Sequence, residues 1–261
     1  MKGLFYIREN HNMATLSPIS NITQEVLMKK VSIGFLAIFL FVSSFSTAMA
    51  WHDRTHIAVG IAAQFDQAYN LAAPDVAKIK ANTVEEYNHW VNNPEKTIIT
   101  KELIKGQIQK YNVGTESEKK GHLYGAIVAA IRAYQDESGA GKFATYHLVY
   151  AGHYIGDLSM PLHNIDNNLI DTLPNHYDND HILENEILTN INKVKLSPMT
   201  IKNEEDLIEN IVLMATKSKD LGYKLVKEKR NMTKEEAYQQ ISQSASLFKA
   251  VLEYVRYSKT P

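Results

Sequence analysis

His153 and Asp157 stand four apart in HLVYAGHYIGDLSMPLHN, the stretch from His147 to Asn164. On a helix that spacing puts both side chains on one face, a turn apart. An imidazole and a carboxylate do not suit an otherwise apolar segment unless a proton, a partner or a metal offsets their burial. Pro161 is expected to end the helix, with His163 in the following turn, its ring free to swing back toward that face. Gly152 and Gly156, also four apart, leave a smooth strip that another part of the chain can approach closely. Two imidazoles and a carboxylate beside such a strip are a donor set that suits zinc. The alternative is a buried helix whose polar residues only bond to one another. Three such residues together favour the metal.

Other residues extend the constellation. His176 and Asp180 repeat the four-residue pairing at the start of another helix, and His181 with Glu184 competes with them as the weaker pair. His122 begins the helix before the central one, and His56 lies five residues after Trp51. His52-Asp53 matches a phosphohydrolase dipeptide, but so short a motif carries little weight. His89 and His147 read as satisfied or exposed rather than as ligands. Tyr111, Tyr124, Tyr146, Tyr150 and Tyr154 are read chiefly as packing, with a substrate-cleft role as the alternative.

Behind these residues the composition sets bounds. The chain has 261 residues, with 28 Lys+Arg against 29 Asp+Glu, so no strongly basic footprint for nucleic acid exists. It has no cysteine, which excludes disulfides, thiolate metal sites and cysteine nucleophiles. Met28, Lys29 and Lys30 precede an apolar run from Val31 to Val42, and Ala48-Met49-Ala50 closes the segment. Residues 28–50 therefore read as a secretory signal cleaved after Ala50, and residues 1–27 as an upstream extension. The apolar run is short for a membrane span, so no stable span is expected after processing. Cleavage would turn the Trp51 nitrogen into an amine with a pKa of about 7.7–8.0, low enough for a metal to displace its proton. With the Trp51 carbonyl oxygen it would form a five-membered chelate.

The elements that must position these groups are helical. Ile57, Ile61 and Phe65 fall on one stripe, and a break at Ala73-Pro74-Asp75 starts a short helix. Lys101 to Lys110, LYGAIVAAIRAYQ, the central segment, HYDNDHILENEILTN and the amphipathic run from Glu204 to Arg230 each read as a helix. Thr233 to Glu236 reads as a capping box opening the last helix, with Ile241, Ala245, Phe248 and Leu252 as its core stripe. No run of alternating strands is evident. The expectation is all-α: residues 51–261 as a single-domain bundle of about seven helices around a multi-zinc cleft.

At this point the chain resembles the superfamily of bacterial zinc-dependent phospholipases C and single-strand-specific zinc nucleases. HYIGDLSMPLH is similar to its H-x-x-x-D-x-x-x-P-x-H signature, Trp51 to His56 to the nucleases' W-x-x-x-x-H start, and HYDND to the H-x-x-x-D/E element. The resemblance implies an all-α fold holding three zinc ions in a cleft. By position, His122, His153 and Asp157 would hold one ion, and His163, His176 and Asp180 a second. Trp51 and His56 would hold the third, with Asp157 bridging. No side chain is assigned as nucleophile, because metal-activated water serves. One departure stands out. The family places a bridging aspartate some fifteen residues before the histidine matched to His122, and here Trp90-Val91-Asn92 offers only an amide. Asp75, Glu95, Glu116 and Glu118 are the candidate replacements.

The function implied is a secreted or periplasmic zinc phosphodiesterase with a phospholipid substrate, on two to three zinc ions. The same machinery acting on single-stranded nucleic acid is the alternative; a zinc-binding helical protein without turnover is a third.

Overall fold

The computed structural model describes residues 51–81, 83–113, 120–137, 141–173 and 176–257. All belong to one compact unit, Met49–Pro261. The extension and signal expected over residues 1–50 lie outside the described residues, as do Glu116 and Glu118.

Nine α-helices carry the described residues: α1 (Asp53–Ala62), α2 (Ala73–Ala81), α3 (Thr83–Glu86), α4 (Lys101–Ile108), α5 (Leu123–Asp136), α6 (Lys142–Ser159), α7 (His176–His181), α8 (Glu204–Glu228) and α9 (Lys234–Tyr257). Among those residues the only β pairing is an isolated bridge between Val91 and Gly121. The protein is all-α. One short helix was not expected, α3 with four residues, and α7, which was expected, stops at His181 instead of running on through Asn190.

The helix α6 is the axis of the bundle, packed by α5, α9, α1 and α8. From Ala151 to Met160 every residue is buried, so its second half has no solvent face on which to leave His153 and Asp157. Two glycines make this packing possible. A methyl on Gly152 would sit 2.6 Å from the Phe248 ring of α9, and one on Gly156 would sit 2.5 Å from Nδ1 of His56 on α1. The smooth strip thus receives rings rather than backbone.

Pro161 ends α6 as its ring demands, and a 3₁₀ turn, Pro161–Asn164, folds His163 back. Asn164 secures that turn. Its Nδ2 donates to the carbonyls of Leu158 (3.0 Å) and Met160 (2.8 Å), satisfying helix-end acceptors, while its Oδ1 accepts from Tyr124 (2.8 Å).

Two sequence expectations shift in position. Ile57, Ile61 and Phe65 are only half-buried, and α1 instead buries Thr55, His56, Ala58, Val59 and Gly60. Turning His56 toward α6 costs α1 its most apolar stripe, leaving small residues to make the contact. At the other end of the chain the capping box forms as read. Thr233 Oγ1 accepts from Glu236 N (3.2 Å), and Glu236 Oε2 accepts from Thr233 N (2.9 Å). The stripe Ile241, Ala245, Phe248 and Leu252 is buried.

Candidate metal centre

Five side chains from four separate elements converge on the second half of α6. His153 and Asp157 come from α6 itself, His56 from α1, Asp75 from the start of α2, and His89 from the turn after α3. Asp157 Oδ2 lies 2.9 Å from His89 Nδ1 and 3.3 Å from His153 Nε2. Its other oxygen, Oδ1, lies 3.4 Å from His56 Nε2 and 3.8 Å from His163 Nδ1. Asp75 Oδ1 approaches His153 Nε2 at 3.7 Å and His89 Nδ1 at 3.8 Å. His56 stacks on His153, with ring centroids 3.8 Å apart.

The proton positions decide what this cluster can do. His153 Nδ1 lies 2.6 Å from the Leu71 carbonyl, and His163 Nδ1 lies 2.6 Å from the His89 carbonyl. A carbonyl only accepts, so each Nδ1 carries a hydrogen and each Nε2 of a neutral ring is a lone pair. His153 Nε2 in turn sits 3.1 Å from His89 Nδ1. Lone pairs and carboxylate oxygens therefore face one another in a dry interior. His56 Nδ1 and Nε2 and Asp157 Oδ1 are buried without a hydrogen bond, while Asp75 Oδ1 has the Lys78 ammonium 3.2 Å away. Buried polar atoms without such bonds are rare and costly. A cation is the partner that suits them.

Two donor groups meet the distance requirement for a metal: His56, His153 and Asp157, and Asp75, His89 and His153. The buried His and Asp residues could therefore hold a metal ion. His153 belongs to both groups and offers each the same nitrogen, Nε2, while Asp157 turns Oδ1 toward His56 and Oδ2 toward His89 and His153.

The titration tendencies divide. Burial opposes protonation of His89, yet its hydrogen bonds to Asp157 and Glu85 raise its pKa to about 9, so a cation at Nδ1 must displace a proton. Asp157, Asp75 and His56 instead favour ligand-competent forms. Burial opposes ionisation of Asp157, yet His153, His56 and His89 hold its carboxyl well below the usual range. Burial opposes ionisation of Asp75 as well, and His153, Lys78, His89 and His56 bring its pKa down to about 2. His56 is pushed down by burial and by His153, so its ring favours the neutral, ligand-competent form. Asp180, by contrast, is pushed well above the carboxylate range by burial and by Asp157 and Asp75. Its carboxyl thus stands within electrostatic reach of the cluster.

The remaining expected ligands are placed as follows. Trp51 is buried, its Nε1 donating to Ser159 Oγ (3.1 Å) at the end of α6. His163 is buried at the Asp157 side of the cluster. The side chain of His176 lies outside the described residues, although α7 begins there. Glu184 does not offer a second ligand pair with His181. Both its oxygens accept from the Arg54 backbone N–H (3.2 and 3.1 Å), and His52 Nδ1 is 2.9 Å away. Its charge stabilises the start of α1. His147 pairs with Glu137 at the surface, 3.1 Å away.

His122 is not brought to either donor group; its Nε2 donates to Asn88 Oδ1 at 2.9 Å, a layer behind the cluster. The histidine beside His153 and Asp157 is His89, which the sequence reading had set aside. Asn92 Oδ1 accepts from Asn167 N (3.3 Å), a loop contact. Of the candidate carboxylates, Asp75 is the one found in a donor group among the described residues. One signal is present in the sequence: Asp75 and His89 are fourteen apart, close to the aspartate-to-histidine spacing that the resemblance implies.

Searches against known protein families and curated proteins return no match for this chain.

Proposed function

We propose that the protein is a zinc-dependent phosphodiesterase of phospholipase C type. The observation that carries this reading is the meeting of His56, Asp75, His89, His153 and Asp157 in two overlapping donor groups, with atoms of His56 and Asp157 buried without a hydrogen bond. Nitrogen and carboxylate donors without thiolate suit zinc. A further site is proposed at Asp180 and His163, with His176 and the Trp51 main chain as the additional ligands, giving two to three ions in all.

Paired zinc ions, when bound, lower the pKa of coordinated water and clamp the oxygens of an in-line displacement at phosphorus. The chain's own residues do the rest. Asp157 would orient the imidazoles around it, Oδ1 toward His56 and Oδ2 toward His89 and His153. Leu71 and His89 carbonyls lock the ring orientation of His153 and His163. Lys78 keeps its ammonium 3.2 Å from Asp75 Oδ1 and brings positive charge beside the carboxylates, where a phosphate must approach. On the outer side of α2, Val76 and Ile79 are 60% and 78% exposed. An apolar surface on the helix that carries Asp75 suits a substrate with acyl chains, which favours the lipid.

Hydrolysis of single-stranded nucleic acid is the second reading. Tyr146, Tyr150, His153 and Asp157 follow one another at four, three and four residues, so two tyrosines stand on the face of α6 that ends in the cluster. Tyrosine faces stack on any base.

The test is elemental analysis of protein beginning at Trp51, with parallel assays on a phosphocholine diester and on single-stranded DNA. Two to three zinc ions and turnover of the diester are expected. Zinc with turnover of DNA alone selects the second reading, and protein that takes up no zinc overturns both.

A further inference from the structure

Glu85 is a carboxylate only 5% exposed, with no lysine or arginine among its ion-pair partners in the described residues. Burying such a charge is expensive, and its surroundings show where the cost is met. Tyr154 Oη donates to Oε1 at 2.7 Å, and Asn88 Nδ2 donates to Oε2 at 3.2 Å. The third contact is His89 Nε2, 3.3 Å from Oε1. Glu85 precedes His89 by four residues, so the turn that follows α3 brings the two side chains to one side.

We propose that Glu85 is a positioning residue that fixes the tautomer and aim of His89, turning Nδ1 rather than Nε2 toward the cation. This rests on the metal reading above. A carboxylate without a proton only accepts, so at this contact His89 Nε2 is the donor. With Nε2 keeping its hydrogen, Nδ1 is the nitrogen whose proton a cation would displace, leaving the lone pair there. That atom faces Asp157 Oδ2 at 2.9 Å, His153 Nε2 at 3.1 Å and Asp75 Oδ1 at 3.8 Å. A carboxylate behind a ligating histidine also raises its basicity as a ligand.

The layer behind Glu85 holds it in place. Burial, then Glu85 itself, pushes the Tyr154 hydroxyl well above its ordinary pKa, so it keeps the proton it donates. The Tyr154 ring meets the His89 ring edge-on, with centroids 5.5 Å apart. Asn88 is held from its other end by His122, which donates Nε2–H to Asn88 Oδ1. His122 thus reaches the cluster through Asn88, Glu85 and His89, as a support three contacts removed.

The experiment pairs zinc affinity, by competition with a chelator, with ¹⁵N NMR of the histidine rings in zinc-loaded protein. Wild-type His89 is expected to show a protonated Nε2 and a metal-bound Nδ1. Glu85→Gln keeps the side chain's size and removes its charge. It is expected to weaken one zinc site by about 10–100-fold, with helix content and the remaining zinc unchanged. Equal zinc affinity in wild type and Glu85→Gln overturns the inference while leaving the metal reading intact. Wild-type protein that binds no zinc overturns both. Should Glu85→Gln fail to fold, the wild-type spectrum decides alone: a protonated Nδ1 on zinc-loaded His89 overturns the assignment.

Discussion

At the scale of single residues, the cluster gives His89 and His122 different work. Both are buried histidines, but only His89 offers a nitrogen to Asp157 and His153. His89→Ala is therefore expected to lose about one zinc ion per chain, because its nitrogen is part of a site formed only on folding. His122→Ala should keep the full zinc count and lose stability, since Asn88 would be left without its buried donor, a cost of about 1–3 kcal/mol. Elemental analysis and chemical denaturation of the two variants separate these outcomes; equal zinc loss in both would place His122 among the ligands. Gly156 offers a second test. An added methyl would lie 2.5 Å from His56 Nδ1, inside any tolerable contact, so Gly156→Ala should drive the His56 ring off α6. The expected result is loss of the ion shared by His56 and Asp157, with the helical circular dichroism retained. An unchanged zinc count would show that His56 is not needed.

At the scale of elements, the start of α9 is held by an electrostatic clamp that titrates. Arg230 donates to both oxygens of Glu236 at 2.7 Å, and Glu236 also closes the Thr233 capping box. The guanidinium outweighs the opposing effect of burial and, with the Thr233 hydrogen bonds, holds the Glu236 pKa at about 2, below its ordinary 4.5. A carboxylate with a depressed folded-state pKa contributes stability above its unfolded pKa and loses it as pH falls through the folded one. The contribution of this clamp should thus be complete above pH 4.5 and disappear progressively toward pH 2. Denaturation curves of wild type and Glu236→Gln should differ at neutral pH and converge on acidification. A difference independent of pH would mean that packing, not charge, holds the cap. The Thr233 box itself is expected to contribute about 0.5–2 kcal/mol, read from Thr233→Ala.

At the scale of the whole molecule, the donors come from α1, α2, the turn after α3, and α6, so metal binding and the packing of those elements are one event. Like groups that face each other without a cation oppose assembly. A ligand that binds only the folded chain stabilises it by about 4 kcal/mol at a thousand times its dissociation constant. Removing metal with a chelator should lower the thermal midpoint markedly, and restoring zinc should recover it. A midpoint unaffected by chelation would show that the cluster folds without an ion.

The same difference in reach explains what could be read from the sequence. The helical class, the capping box at Thr233 and the halt of α6 at Pro161 follow from local rules, because backbone geometry acts over three or four residues. His153 with Asp157 was legible for that reason: one helix sets their separation whatever else the chain does. His163 followed, since the turn that carries it is adjacent. Asp75 and His89 were not legible in this way. Each sits on its own short element, in sequence surroundings that look like solvated helix and loop, and no local spacing joins either to α6. Even the face of α1 was misjudged, because Ile57 and Ile61 make the more apolar stripe, while what matters to the fold is His56 meeting the bare surface of Gly156. Residue types and short spacings determined that a histidine and a carboxylate able to hold a metal share one face of one helix. Only tertiary packing decided which distant carboxylate and imidazole complete it, because coordination depends on distances in space that the chain sets through contacts tens of residues apart.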